Sequence, residues 1–241
     1  GGKGLFVKEL DRALLCGEID LAIHSLKDIP MELPEDLPIL AYFQRGDPRD
    51  ALVLPSHPSQ ESPHMIGSSS SRRRIQLQQL WSGISVASVR GNIQTRLQKL
   101  DAGAYDALVL AAAGLQRAGL SYRISRYFSI DEILPAAGQG ILAVQGRRDC
   151  LPFDLSCIHH PASAAAAQAE REFVRALQGG CTSPVAAYGQ VAGLELRLTG
   201  LYYREEQGDF FRSSCSGPLE QARQLGESLA ESMKKEAERR P

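Results

Sequence analysis

Arginines and serines follow three successive predicted strands in the middle of this 241-residue chain. They are a serine run at 68–71, then Arg72, Arg73, Arg90, Arg96 and Arg117. Guanidinium groups bind carboxylates or phosphates through paired hydrogen bonds, and helix N-termini add backbone N–H donors. Because the carboxyl ends of parallel strands meet at one edge of a sheet, the set predicts a site for a small molecule with several negative charges. Any one of these arginines alone is better explained as a solvated helix residue.

Two other residues suit proton-transfer or covalent chemistry. Asp28 follows a predicted strand and lies beside Lys27. It is either half of a surface ion pair or a carboxylate that moves protons and stabilises a developing cation. Cys181 follows Gly179 and Gly180, between a predicted helix and a predicted strand. It is either a small loop residue or an accessible thiol that forms a covalent bond.

Composition limits the classes of function. The chain has 27 Lys and Arg against 28 Asp and Glu, a net charge of −1, which argues against nucleic-acid binding through bulk charge. No apolar run approaches the roughly 20 residues of a membrane span, and we find no secretory signal. Five cysteines are an odd number without the density of small secreted domains, so we expect a cytoplasmic protein.

A metal site is not expected. Cys150, Cys157, His159 and His160 lie close together in the chain. Their spacing lacks the close cysteine pair that is typical of zinc sites, and buried or loop thiols explain the cysteines better.

The hydrophobic pattern predicts an α/β chain followed by a separate module. A helix at 5–15 and strands at 21–23 and 39–43 come first, and 46–50 is a polar turn where the chain could pass between domains. Three strand-then-helix units follow up to Arg117, a pattern typical of parallel α/β structure. From Ala162 onward, a helix, three strands and a closing helix predict an α+β domain.

Several stretches together resemble the hydroxymethylbilane synthase family, also called porphobilinogen deaminases. They occur from end to end of the chain, in order: GGKGLFVKEL (1–10), DLAIHSLKDIP (20–30), RGDPRDAL (45–52), GSSSSRRR (67–74), VRGNIQTRLQKLDAGAYDALVLAAAGLQRAGL (89–120), LPAAGQGILAV (134–144) and GGCTSPVAAYG (179–189).

The resemblance implies a fold of two α/β domains similar to type II periplasmic binding proteins, plus a small α+β C-terminal domain with a three-stranded antiparallel sheet. It implies domain 1 at 1–44 with 139–158, domain 2 at 45–138 and domain 3 at 159–241. Family members carry a further segment before GGKG. We therefore expect that this chain lacks the first strand and helix of domain 1.

The resemblance also implies an activity and a cofactor. The family condenses porphobilinogen units head to tail, releases ammonia, and yields hydroxymethylbilane. The primer is a dipyrromethane cofactor, which Cys181 would hold through a thioether, and Asp28 would be the catalytic aspartate. The remaining site residues would be cofactor contacts at Ser25, Lys27, Ser70, Arg72, Arg73, Arg90, Arg96 and Arg117, with Lys3 and Gln139 lining the cleft. We expect a monomer without metal, nucleic-acid or membrane partners.

Three alternatives come from other classes of protein. A non-catalytic anion-binding protein with two lobes would explain the arginines but not Asp28 or the GGC loop. A serine hydrolase using the serine run lacks the G-x-S-x-G motif and an evident histidine partner. A purely structural C-terminal module would make Cys181 incidental.

Overall fold

The computed structural model describes residues 5–56, 63–148, 154–178, 184–204 and 207–239. Lys3, Cys150 and Cys181 lie outside the described residues. The chain divides into two compact units. Unit 1 is built from Gly1–Gly46, Ala136–Cys181 and Val185–Pro241, and unit 2 is built mainly from Asp47–Pro135.

The described strands and helices follow one another along the whole chain. The strands are β1 (Leu21–Ser25), β2 (Ile39–Tyr42), β3 (Asp50–Val53), β4 (Met65–Gly67), β5 (Ser85–Ala87), β6 (Ala107–Ala111), β7 (Arg126–Tyr127), β8 (Leu142–Gly146), β9 (Val185–Ala192), β10 (Glu195–Arg204) and β11 (Asp209–Pro218). The helices are α1 (Leu5–Leu15), α2 (Ser71–Leu80), α3 (Ile93–Asp101), α4 (Ala112–Arg117), α5 (Pro161–Ala176) and α6 (Ala222–Arg239). Among these described helices, none has both the length and the apolar character needed to cross a bilayer.

Unit 1 contains a three-stranded sheet in the order β1-β8-β2, in which β8 pairs antiparallel with both neighbours. Ser25 at the end of β1 pairs with Leu142 at the start of β8. The sequence pattern did not predict β8, because a short apolar run beside glycines does not separate a buried strand from other buried segments. This strand brings the segment around Gln139 next to the end of β1.

The C-terminal part of unit 1 is the α+β module that the sequence predicts. Its sheet has the order β11-β10-β9, with both pairings antiparallel. Helices α5 and α6 pack together, and Phe173, Leu198 and Phe211 are buried in the module's hydrophobic core. Leu196 and Leu198 point into this core, while Glu195 and Arg197 between and beside them are exposed, as the alternation of apolar and polar residues requires.

Unit 2 contains a five-stranded sheet in the order β5-β4-β6-β3-β7. Strand β4 is parallel to both β5 and β6, and this confirms the three predicted strand-then-helix units. Strand β3 pairs antiparallel with β6 and β7, so the sheet as a whole is mixed. The carboxyl ends of β4, β5 and β6 therefore face the same edge, and the helices that follow them begin there.

Candidate active site

The turn that carries Asp28 is fixed by the buried residues on either side of it. Residues Leu26–Asp28 form a single 3-10 turn directly after β1. Leu26 and Ile29 are fully buried, and the Leu26 N–H donates to the Ile141 carbonyl at 3.0 Å. With those two side chains in the core, Lys27 is half-buried and Asp28 is exposed. Within the described residues, no group makes a hydrogen bond or ion pair with the Asp28 carboxylate.

Lys27 and Gln139 connect this turn to the loop before β8. The Lys27 ammonium donates to Gln139 Oε1 at 3.4 Å, and Gln139 is fully buried. The Gln139 carbonyl in turn accepts a hydrogen bond from Arg45 Nε at 2.9 Å. Unit 1 therefore brings together four of the predicted site residues: Ser25, Lys27, Asp28 and Gln139.

A buried ion pair supports the loop that carries Gln139. The Glu170 carboxylate has no exposure and accepts from Arg45 Nη1 at 2.6 Å and Nη2 at 2.9 Å. It also accepts from the backbone N–H groups of Gly138, at 2.6 Å, and Gly189, at 2.7 Å. The sequence pattern did not predict this pair. A signal was present, because Glu170 lies on the same face of α5 as the buried Ala166 and Phe173.

In unit 2, the serine run forms the start of α2. Ser70 is the N-cap residue, and its hydroxyl accepts from the Arg73 N–H at 3.4 Å. Ser69 Oγ donates to the Val89 carbonyl at 2.7 Å and accepts from the Val89 N–H at 3.1 Å. These contacts place the beginning of α2 beside the loop that follows β5.

Arg72 and Arg73 are buried and share one carboxylate, so neither is a solvated helix residue. Arg72 Nη2 donates to Asp50 Oδ2 at 2.8 Å, and Arg73 Nη2 donates to Asp50 Oδ1 at 2.7 Å. Their Nη1 atoms donate to the carbonyls of Leu134, at 2.6 Å, and Val109, at 3.1 Å. Burial lowers the pKa of the Arg72 guanidinium, although Asp50 opposes this effect. Two guanidiniums and one carboxylate leave a net positive charge at the start of α2.

The other predicted arginines lie nearer the surface of unit 2. Arg90 is exposed in the loop between β5 and α3. Arg96, in the first turns of α3, donates from Nε to the Gly91 carbonyl at 2.8 Å. Arg117 is the last residue of α4, where partial desolvation lowers the pKa of its guanidinium although the residue is largely exposed. All three therefore follow strands whose carboxyl ends share one edge of the sheet.

Comparison with known proteins identifies the family. Residues 1–151 match the family model described as porphobilinogen deaminase, dipyromethane cofactor binding domain, and residues 164–235 match the C-terminal domain of the same enzyme. The chain belongs to the porphobilinogen deaminase family. As a family member it is an enzyme, and dipyrromethane is its cofactor.

Individual porphobilinogen deaminases match nearly the whole chain. The protein from Ruminiclostridium cellulolyticum is 51% identical over 97% of this chain and 80% of its own length. The protein from Acetivibrio thermocellus is 50% identical over 99% of this chain and 82% of its own length. Among solved structures, a TRAP periplasmic solute binding protein from Desulfovibrio salexigens aligns at a TM-score of 0.37 and 12% identity, covering 63% of this chain and 56% of that one.

The residues of this chain fit a cofactor that carries carboxylates. The cluster of Asp50, Arg72 and Arg73 has an excess positive charge, and the buried Arg73 Nε has no acceptor among the described residues. Arg90 and Arg117 add exposed guanidiniums in the same unit, in the loop after β5 and at the end of α4. This donor set matches the chemistry of acetate and propionate groups.

Two of the predicted site residues, Lys3 and Cys181, lie outside the described residues. Three other cysteines are described: Cys16 and Cys157 are exposed, and Cys215 is partly buried. Burial raises the pKa of the Cys215 thiol. Within the described residues, no three His, Cys, Asp or Glu side chains form a group that could hold a metal ion.

Proposed function

We propose that Asp28 is the catalytic carboxylate with which this porphobilinogen deaminase releases ammonia and joins porphobilinogen units. One observation carries the proposal: the Asp28 carboxylate is exposed and has no partner among the described residues, while the turn beneath it is held by buried contacts. When bound, dipyrromethane supplies the pyrrole carbon to which the first substrate unit is joined. After four condensations, each of which releases one ammonia, hydrolysis by one water molecule frees the four joined units as hydroxymethylbilane.

In this proposal Asp28 acts on the substrate in two ways. Breaking the bond between carbon and the amino group leaves positive charge on the substrate's pyrrole ring, and a carboxylate hydrogen-bonded to the pyrrole N–H stabilises that charge. The same group moves a proton, because the departing amine must leave as ammonia and the new carbon–carbon bond releases a proton. Lys27, held by Gln139, lies directly beside it in the chain.

Each porphobilinogen unit carries two carboxylates, and the proposed partners of these groups are the arginines of unit 2. Arg90, Arg96 and Arg117 provide guanidiniums near the surface, while the pair of Arg72 and Arg73 provides buried positive charge that Asp50 only half neutralises. Ser25 adds a hydroxyl group near Lys27 and Asp28 in the chain, and Ser70 adds one near Arg72 and Arg73. Preorganised charges of this kind bind without reorganisation during the reaction.

Other parts of the proposal rest on the family resemblance. Cys181 attaches the cofactor through a thioether, and Lys3 and Gln139 line the substrate site. The chain has three domains, at 1–44 with 139–158, at 45–138 and at 159–241; a hydrophobic core built mainly from residues of the C-terminal module supports the last of these. The enzyme is a cytoplasmic monomer that takes porphobilinogen and has no nucleic-acid or membrane partner.

The change Asp28→Asn tests the central proposal. Asparagine keeps the shape and loses the charge and the proton-carrying group, so we expect turnover of porphobilinogen to fall by about 10²-fold or more. Asp28 is exposed, so folding should be retained. Asp36→Asn, at an exposed position eight residues further along the chain, is the matched control and should turn over normally. Near-normal turnover of the Asp28→Asn enzyme, measured as product formed from porphobilinogen, would remove Asp28 from this role.

A further inference from the structure

Arg171, on α5, contacts the backbone directly after Asp28. Its Nη1 donates to the carbonyl of Ile29 at 3.3 Å, and its Nη2 donates to the carbonyls of Pro30, at 2.5 Å, and Met31, at 3.1 Å. One planar guanidinium thus holds three consecutive carbonyl groups. Hydrogen bonds from a charged donor are about twice as strong as those between neutral groups.

The loop after Asp28 has little other support from its own backbone. Pro30 and Pro34 have no N–H to donate. Among the described residues, Ile29 N–H donates to the Leu26 carbonyl at 3.2 Å and Leu37 N–H donates to the Pro34 carbonyl at 3.0 Å, both within the same stretch of chain. Only the far end of the loop is tied to β8, where the Leu37 and Pro38 carbonyls accept from Gln145 Nε2, at 3.1 Å, and Gly146 N–H, at 3.4 Å. The contacts with Arg171 instead tie the part of the loop nearest Asp28 to a long helix.

The position of the Asp28 carboxylate depends on this backbone. Because no described side chain holds that carboxylate, its place is set by the turn Leu26–Asp28 and the residues on either side. The neighbour of Arg171 on α5, Glu170, holds the loop that carries Gln139, and Gln139 accepts from Lys27. Adjacent residues of one helix therefore support both the backbone after Asp28 and the partner of Lys27.

We propose that Arg171 is a positioning residue for the condensation reaction, which fixes the backbone that carries Asp28. The inference rests on the proposed role of Asp28. Arginine suits this position because its planar, forked donors reach several acceptors at once, whereas a lysine ammonium is a single point charge on a flexible stem. The conservative variant Arg171→Lys should therefore keep part of the function.

The test compares Arg171→Ala with Arg171→Lys and a matched control, Arg175→Ala. Arg175 lies one turn further along α5, is largely exposed, and pairs with Glu172 on the same helix. In enzyme purified with its cofactor attached, we expect Arg171→Ala to lower kcat by about 10- to 100-fold, the scale at which small displacements of catalytic groups act. KM for porphobilinogen should change little, Arg171→Lys should be intermediate, and Arg175→Ala should match the parent enzyme.

A second measurement separates positioning from general destabilisation. Amide hydrogen exchange in the Arg171→Ala enzyme should become faster at 29–36, while exchange in the strands of the C-terminal module should stay as it was. An unchanged kcat, or a loss confined to KM or to cofactor loading, would overturn the proposal. If Arg171→Ala does not yield folded enzyme, kcat and amide hydrogen exchange are measured on Arg171→Lys instead. The same outcomes then support or overturn the proposal.

The double variant with Asp28→Asn distinguishes this inference from the role of Asp28 itself. When the carboxylate is already absent, Arg171→Ala should lower kcat by no more than about twofold further, because the two changes act on one group. If Asp28→Asn alone is fully active, the role of Asp28 is wrong. If Asp28→Asn is inactive while Arg171→Ala is fully active, only the role of Arg171 is wrong.

Discussion

At the scale of single residues, Asp50 holds two buried arginines with one carboxylate. It is fully buried at the start of β3, and each of its oxygens accepts from a different arginine of α2. A buried charge is costly unless it is paired, and here one carboxylate pairs with Arg72 and Arg73 together. The Asp50 carboxylate offsets the repulsion between the two guanidiniums, and the buried cluster keeps a net positive charge.

The change Asp50→Asn should therefore destabilise the protein strongly. Asparagine has the same shape, but its amide NH2 group is a donor that would face an arginine donor. Breaking a buried ion pair typically costs about 3–5 kcal/mol, and we expect a loss of that size in urea unfolding. Asp101→Asn removes a pair with Arg123 nearer the surface of the same unit and should cost about 1 kcal/mol or less. Equal losses in the two variants would contradict the stabilising role of Asp50.

At the scale of elements, α5 connects the C-terminal module to the loops that carry Gln139 and Asp28. Its buried face packs against α6 and the C-terminal sheet, and Glu170 and Arg171 hold the loops around Gln139 and Asp28. The contact with α6 is close at Gly226, which is buried on that helix. A Cβ atom there would lie within 2.9 Å of the Phe173 backbone nitrogen and closer still to the Ala169 carbonyl oxygen.

The change Gly226→Ala tests how tightly these helices pack. Alanine favours the helix by about 1 kcal/mol over glycine. Inserting a methyl group into a packed contact typically costs about 1–3 kcal/mol, and here the obstructing atoms are backbone. We expect a net loss of about 1 kcal/mol in the free energy of unfolding. The control Ser228→Ala, at an exposed position on the same helix, should change the free energy of unfolding by no more than about 0.5 kcal/mol. A stabilised Gly226→Ala protein would show that the helices separate easily.

At the scale of the whole molecule, the bound cofactor should change the stability of the fold. A cofactor that carries several carboxylates finds its paired donors only in the folded protein. Since a ligand that binds only the native state raises its stability, the loaded enzyme should be more resistant to heat than the unloaded one.

The change Cys181→Ala tests this coupling. Intact-mass measurement of protein from cells that make porphobilinogen should show the two-pyrrole adduct on the parent and none on the variant. The melting temperature should fall by about 2–4 °C for each kcal/mol of lost binding. Cys16→Ala, at an exposed position after α1, should keep both the adduct and the melting temperature. An adduct on another cysteine, or full activity in Cys181→Ala, would overturn the assignment; the raised pKa of the Cys215 thiol makes that residue a poorer nucleophile.

Most of the elements, the family and the types of residue at the site could be predicted from the sequence alone. Periodicity predicted α1, the three strand-then-helix units and the α+β module, because those signals are local and long enough to read. It also predicted where Arg72, Arg90 and Asp28 stand, after the ends of strands. The family was evident from motifs whose order and spacing are specific.

Which of these polar groups contact one another follows from the packing of the elements. The strand β8 pairs with both β1 and β2, but its short apolar run beside glycines does not by itself distinguish a strand from another buried segment. The ion pairs of Asp50 with Arg72, and of Glu170 with Arg45, join residues 22 and 125 positions apart. The contact of Arg171 with the loop after Asp28 spans more than 140 positions. No local pattern records a partner so distant, because the pairing is set by how the elements pack and not by the residues beside it.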